Sequence, residues 1–301
     1  KFPDRIRICG AVSTDTDDLK RFNARFGGVG YSGFDQMLSD PDIQAVFLAT
    51  PHSSHYDQIC AAAASGKHVF VEKPMALTTA DAQQAAQACK NAGVVLAVGH
   101  NRRFMAAATA LKSILEGKEL GFVLHAEAHF SADSAMHYQA DEWRAQRHEA
   151  PGGSLASLGI HMIDTLTWLF GPITRVACLS KRKVLCVDID DTTCALIEFD
   201  SGLTAYLGTL FATPLLSQLR VSGTLGNVVV EQDFCCLTKT TSDGQQQAIP
   251  LDDTDSVVEE IKAFANSCTS GSPYPVTPRQ AAHNVAVMCA MLQSSEFGGI
   301  W

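Results

Sequence analysis

No apolar run in this sequence approaches the roughly 18 residues that a membrane-crossing helix needs. Its longer ones, such as 45–50 and 94–99, are only of strand length. An excess of positive charge is also missing: 23 Lys and Arg stand against 32 Asp and Glu, a formal net charge of −9. An acidic chain with scattered cations offers no electrostatic footprint for nucleic acid. The opening Lys1-Phe2-Pro3-Asp4-Arg5 is followed by neither a long apolar stretch nor a small-residue cleavage site, so no secretory leader is expected and the cytoplasm is the expected compartment. The ten cysteines lack metal-ligand spacing, and only Cys235 and Cys236 lie close together. They read as free, mostly buried thiols, with neither a disulfide framework nor a metal site expected.

What the chain does have is apolar substance: 46% hydrophobic residues over 301 positions, enough for a sizeable core and for two domains. Up to about residue 103, apolar runs (6–12, 45–49, 68–71, 94–98) alternate with helix-like stretches (17–26, 55–64, 79–91). Uninterrupted apolar strands joined by helices predict a doubly wound parallel α/β sheet covered on both faces. Gly27-Gly28, Ser65-Gly66 and Gly93 mark helix ends, and Thr78 and Thr79 can cap a helix start. Beyond a helix-like stretch at 104–115, alternating runs at 122–130, 174–181, 191–199, 204–211, 218–222 and 228–236 predict an open, mainly antiparallel sheet. Helix-like stretches near 256–269 and 278–294 close the chain. The expected domains are 1–103 and 104–301.

Open parallel sheets bind ligands at the carboxyl ends of their strands. One such end is Ala49-Thr50-Pro51-His52-Ser53-Ser54-His55, where a helix start presents free N–H groups, although serines there also serve as caps. A second is Glu72-Lys73-Pro74, whose proline stops the ladder and leaves both charges at the rim. An ammonium there can hold a substrate hydroxyl. The third is His100-Asn101-Arg102-Arg103-Phe104. In the second half, Gly152-Gly153 opens a segment in which Ser157, His161, Asp164 and Trp168 share one helical face. His161 beside a carboxylate is a competent general base, though the two could equally satisfy each other on a buried stripe. The loop 131–150, with His137, Tyr138, Asp141, Arg144, Arg147 and His148, is expected to border the pocket.

Taken in order, the Ala-Thr-Pro, Glu-Lys-Pro and Asn-Arg-Arg-Phe motifs and the Gly-Gly to His-Met-Ile-Asp segment resemble the Gfo/Idh/MocA family of glucose-fructose oxidoreductase and inositol dehydrogenase. The resemblance covers nearly the whole chain. It implies a Rossmann domain, a C-terminal open sheet used in oligomerisation, and hydride transfer between NAD or NADP and a sugar, polyol or related compound. It also implies catalytic roles for Lys73 and His161, and substrate contacts from Asp164, Arg144, Ser157 and Lys73. Thr14, Thr50, Pro51, His52, His55, Glu72, Lys73, Asn101 and Trp143 fall at its cofactor positions. A homodimer or tetramer is expected through the C-terminal sheet. The family's first strand and glycine-rich phosphate loop belong ahead of Ile6; either they lie upstream of Lys1, which is the expectation favoured, or the pyrophosphate site has been lost. Many dehydrogenases of the family carry an aspartate where this chain has Ser157. Thr14, in place of an acidic residue, leaves room for a 2′-phosphate, so the lean is to NADP. The alternative is a non-catalytic, dinucleotide-binding regulator of the same family.

Overall fold

The structure, a computed structural model, describes residues 6–299. The leader reading, at residues 1–5, lies outside them. The first half runs β1 (Gly10–Ala11), α1 (Thr16–Phe26), β2 (Val29–Gly30), α2 (Phe34–Leu38), β3 (Ala45–Leu48), α3 (His55–Ala64), β4 (His68–Val71), α4 (Thr79–Ala92) and β5 (Leu96–Val98). Every pairing in it is parallel, β1 with β2 and β4 with both β3 and β5. Side chains fix the helix ends. The Asp15 carboxylate accepts from the N–H groups of Asp17 and Asp18 at the start of α1, and the Thr78 hydroxyl accepts from Asp81 N–H at the start of α4. Gly93, at φ 69°, closes α4 in the left-handed conformation that glycine adopts at little cost.

Two expectations change here. The run 6–12 yields only β1, and β1 is not bonded to β3, so the parallel strands form a pair and a triplet. β5 is buried throughout and β4 nearly so, as a covered sheet requires, but β3 alternates. Its Phe47 lies on Phe70 at 4.0 Å between centroids yet is 51% exposed, because that face stays open among the described residues.

The second half begins with α5 (Ala106–Glu116) and β6 (Val123–Ser131), crosses a loop of short turns, and enters a π-helical turn (Leu155–Gly159) continuous with α6 (Ile160–Phe170). Then follow β7 (Ile173–Lys181), β8 (Thr192–Phe199), β9 (Thr204–Leu210), β10 (Leu216–Gly223), β11 (Gly226–Glu231), β12 (Cys236–Thr241), β13 (Gln246–Ala248), α7 (Ser256–Ser270) and α8 (Pro278–Glu296). They build an eight-stranded sheet of order β13-β12-β11-β10-β6-β9-β8-β7, in which β6 and β9 are parallel and all other neighbours antiparallel. Helices α5, α6 and α8 cover one face, while Leu179 and Leu196 stand exposed on the strands.

The run 228–236, expected as one strand, breaks between β11 and β12. Gln232, Asp233 and Phe234 all take positive φ, at 52°, 51° and 65°. β2, α2 and β13 carry no periodic signal strong enough to foresee. All ten cysteines are free, but only Cys89 and Cys178 are buried; Cys186 and Cys235 are exposed and the other six half-buried, which corrects the mostly buried reading.

Candidate active site

A cavity of about 410 Å³ opens where the carboxyl ends of β3 and β4 meet the π-helical turn and the loop after β6. The chain delivers Thr50 and His52 from the end of β3, Glu72 and Lys73 from the end of β4, Trp143 and Arg144 from the loop, and Ser157 and His161 from the start of the long helix. Lys73 Nζ donates to the Ser157 carbonyl at 2.6 Å. Ser157 therefore contributes a backbone oxygen to the site. Burial pushes the Lys73 ammonium down to about 8, with Glu72 opposing the shift and Arg144 and Arg102 adding to it. His161 lies well below its ordinary value, first through burial and then through Lys73, Arg102 and His100. Its imidazole is thus neutral near pH 7. Nδ1 is sealed without a partner among the described residues, which leaves Nε2 to face the cavity.

His52 is held differently. Its Nδ1 lies 2.6 Å from the Glu149 carbonyl, which can only accept, so Nδ1 carries the proton and Nε2 is an acceptor. The ring meets Trp143 edge-on at 4.8 Å, and burial takes its pKa to about 4. The Glu149 carboxylate accepts from Ser53 N–H at 2.9 Å and Ser53 Oγ at 2.5 Å, tying the loop to the turn after β3.

Other expected site residues lie elsewhere. Asp164 is fully buried, takes the fork of Arg103 at 2.6 and 2.8 Å, and accepts from Asn284 at 2.7 Å. It makes no hydrogen bond to His161. The expected stripe does run down one helical face, but the rise of about 1.5 Å per residue carries Asp164 and Trp168 out of the cavity and against Arg103. His55 is fully buried between the carbonyls of Pro74 and Thr50, at 2.8 and 3.1 Å. Asn101 donates to Ser256 Oγ at 3.2 Å, Pro51 opens the short turn His52–Ser54, and Thr14 is exposed just ahead of α1. Of the loop residues, Tyr138 and Arg144 reach the cavity, whereas Arg147 pairs with Asp190 at 3.2 Å and Asp188 at 3.5 Å. Sequence reasoning missed Glu149, Ser134, Leu158 and Phe211, none of which carries a motif.

The chain contains one G-x-G-x-x-G spacing, Gly28-Val29-Gly30-Tyr31-Ser32-Gly33. It is not a phosphate loop. It follows a helix rather than a strand, Gly30 lies within β2, and Gly33 precedes a helix of only five residues.

Comparison with known proteins places both halves of the chain in one family. Residues 1–100 match the model of an oxidoreductase family with an NAD-binding Rossmann fold, and residues 108–229 match that of the GFO/IDH/MocA C-terminal domain. The chain is 28% identical over 281 residues to 1,5-anhydro-D-fructose reductase of Ensifer adhaerens, covering 90% of this chain and 84% of that protein. It is 28% identical over 275 residues to D-xylose 1-dehydrogenase (NADP(+)) 2 of Haloferax volcanii, covering 89% and 83%. A solved structure from Desulfitobacterium hafniense superposes with a TM-score of 0.92 at 28% identity, over 98% of this chain and 90% of that one.

Proposed function

The chain belongs to the GFO/IDH/MocA oxidoreductase family and is an NAD(P)-dependent oxidoreductase, and on that premise we propose that it exchanges a hydride between the nicotinamide and a sugar, polyol or related hydroxyl or carbonyl compound. The observation that carries this reading is the shared cavity of Lys73 and His161 at the ends of β3 and β4.

The residues present fit the nicotinamide end of such a cofactor. Thr50, Glu72, Lys73 and Trp143 offer a hydroxyl, a carboxylate, a cation and an aromatic wall around one opening, and His52 turns an acceptor nitrogen to it. Bound there, the nicotinamide would supply or accept the hydride. Lys73 would hold the reacting oxygen together with the ribose, and His161 Nε2 would take the hydroxyl proton in oxidation or return it in reduction. Arg144 and Ser157 would border the substrate, while Asp164 would act through Arg103. Thr14, Pro51, His55 and Asn101 complete the proposed cofactor side, Pro51 and His55 by shaping the turn after β3. The neutral Thr14 and the NADP(+)-named relative support the lean to NADP.

Part of the same proposal is the division into domains at 103/104, a cytoplasmic location, and a homodimer or tetramer formed through the open sheet face that exposes Leu179 and Leu196. Calorimetric titration of the full-length gene product with NADH and NADPH, followed by a sugar and polyol turnover screen, tests the reading. Tight binding of one dinucleotide, with NADPH preferred, is expected. Lys73→Ala and His161→Ala should each lower turnover by about 100-fold or more while changing dinucleotide affinity only a few-fold. Unchanged turnover in both variants would overturn the roles, and heatless titrations with both dinucleotides would overturn the activity.

A further inference from the structure

Away from the active site, a groove of about 700 Å³ opens between α4 and α8 beside the start of β5. It shares no residue with the active-site cavity, and it lies at the amino end of β5 whereas the cavity lies at the carboxyl ends of β3 and β4. Its size falls within the roughly 300–1,000 Å³ of small-molecule sites. Val94 and Leu96 form an apolar floor, and Ala282 and Ala286, one turn apart on α8, leave the space above it open.

The charges around this floor are of one sign. Lys90, near the end of α4, and Arg279, in the first turn of α8, are exposed cations on its two walls. Neither has an ion-pair partner among the described residues, and no carboxylate lines the groove. In a chain of net charge −9, two cations left together without an acidic neighbour do not reflect a surplus of positive charge. His283, one turn on from Arg279, also lines the groove. Its Nε2 accepts from Ile173 N–H at 3.1 Å, so the ring proton sits on Nδ1 and the imidazole adds a donor.

We propose that this groove is a second ligand site, separate from the active site, that takes a small organic anion: an oxyanion headgroup held between Arg279, Lys90 and His283, on an apolar body laid over Val94 and Leu96. A guanidinium offers parallel donors that match a carboxylate or phosphate, and an ammonium adds a point charge. Only such a molecule satisfies both parts of the lining. An inorganic ion would leave the apolar floor uncovered, and a neutral apolar molecule would leave both cations without a counter-charge. Occupancy of the groove requires neither the nicotinamide nor turnover, so it goes beyond the proposed activity and does not depend on it.

The test is calorimetric titration of the full-length gene product with 2-naphthoate, with 2-naphthyl phosphate and with the uncharged 2-naphthamide. At least one of the two anions should bind, about 10-fold or more tightly than the amide, and the tighter of the two tells a carboxylate from a phosphate ester as the preferred headgroup. Arg279→Gln and Lys90→Gln, both at exposed positions that tolerate a neutral side chain, should each weaken that anion by about 3- to 5-fold, as expected of cations at a wet rim. Ala286→Leu, which fills the groove, should abolish the heat; should it not fold, the two charge variants decide. Arg144→Gln, in the active-site cavity, should leave the affinity unchanged. No heat with either anion, an amide bound as tightly as the anions, or an affinity lost in Arg144→Gln but kept in Arg279→Gln and Lys90→Gln overturns the assignment. Absence of turnover with every polyol would leave these titrations unchanged, so failure of the activity and failure of this site are separable.

Discussion

In the proposed reaction Lys73 would set the pH behaviour of the site, because burial brings its ammonium down to about 8 while His161 stays neutral through the neutral range. Below about 8 the ammonium would be present to donate toward an oxygen that gains charge, which would favour carbonyl reduction. Above it the amine predominates and the proton released on alcohol oxidation is more readily accepted. The rate of reduction should therefore fall as pH rises through about 8 and the rate of oxidation should climb, with no inflection near 6.5 in either direction. Rate profiles measured in both directions check this. A shared inflection near 6.5 would give the controlling titration to a histidine instead. These two residues were legible in the sequence for a physical reason: Lys73 sits at the end of a proline-stopped strand and His161 lies on one face of an amphipathic stretch. Glu149 was not. Its partners His52 and Ser53 lie 97 and 96 residues away in sequence, and no periodicity links loop residues to a distant turn.

At the scale of elements, the segment that presents His161 is pinned at both ends. Its start is held by Gly153, at φ 50°, where a Cβ would come within 2.0 Å of the Asp190 carbonyl oxygen. Gly153→Ala combines that backbone clash with a left-handed φ, and a loss of roughly 3 kcal/mol or more is expected. Thermal unfolding reads it, and an unchanged midpoint would mean that the close approach relaxes freely. Deeper in, Asp164 joins α6 to Arg103 and, through Asn284, to α8. Asp164→Ala strands a buried guanidinium, so about 3–5 kcal/mol of stability should go, with turnover per folded molecule falling less than in His161→Ala. The reverse ranking would return Asp164 to the substrate. Two elements matched their expected limits residue for residue: α3, bounded by Ser65-Gly66, and the continuous apolar strand β4. What could not be read was the break at 232–234. Its sequence, Gln-Asp-Phe, contains none of the glycine that a left-handed turn ordinarily needs, and the compensation comes from Arg102, about 130 residues earlier.

For the whole molecule, the buried titratable groups around the junction of the two sheets decide how it tolerates acid. His100 and His52 are buried and held at about 4, and His161 also lies well below its ordinary value. The unfolded chain binds these protons near 6.5. Between that value and about 4 the unfolded state is the better proton acceptor, so stability present above 6.5 is lost as pH falls, by about 2 kcal/mol for each of His100 and His52 between pH 7 and 5, with His161 acting in the same direction. Glu260 runs the other way. It is buried beyond the cavity and burial, aided by Glu72, raises its carboxyl to about 8, so the folded state holds its proton and gains stability as pH falls from 8 toward 4.5. Three histidines outweigh one carboxyl, and urea unfolding should show a lower midpoint at pH 5 than at pH 7. His100→Gln should shrink that difference, whereas Glu260→Gln, which removes the compensating proton, should enlarge it. Equal pH 5 and pH 7 midpoints in the parent, or a smaller gap in Glu260→Gln, would mean that these groups are hydrated in the folded protein and that the junction is wetter than its burial implies.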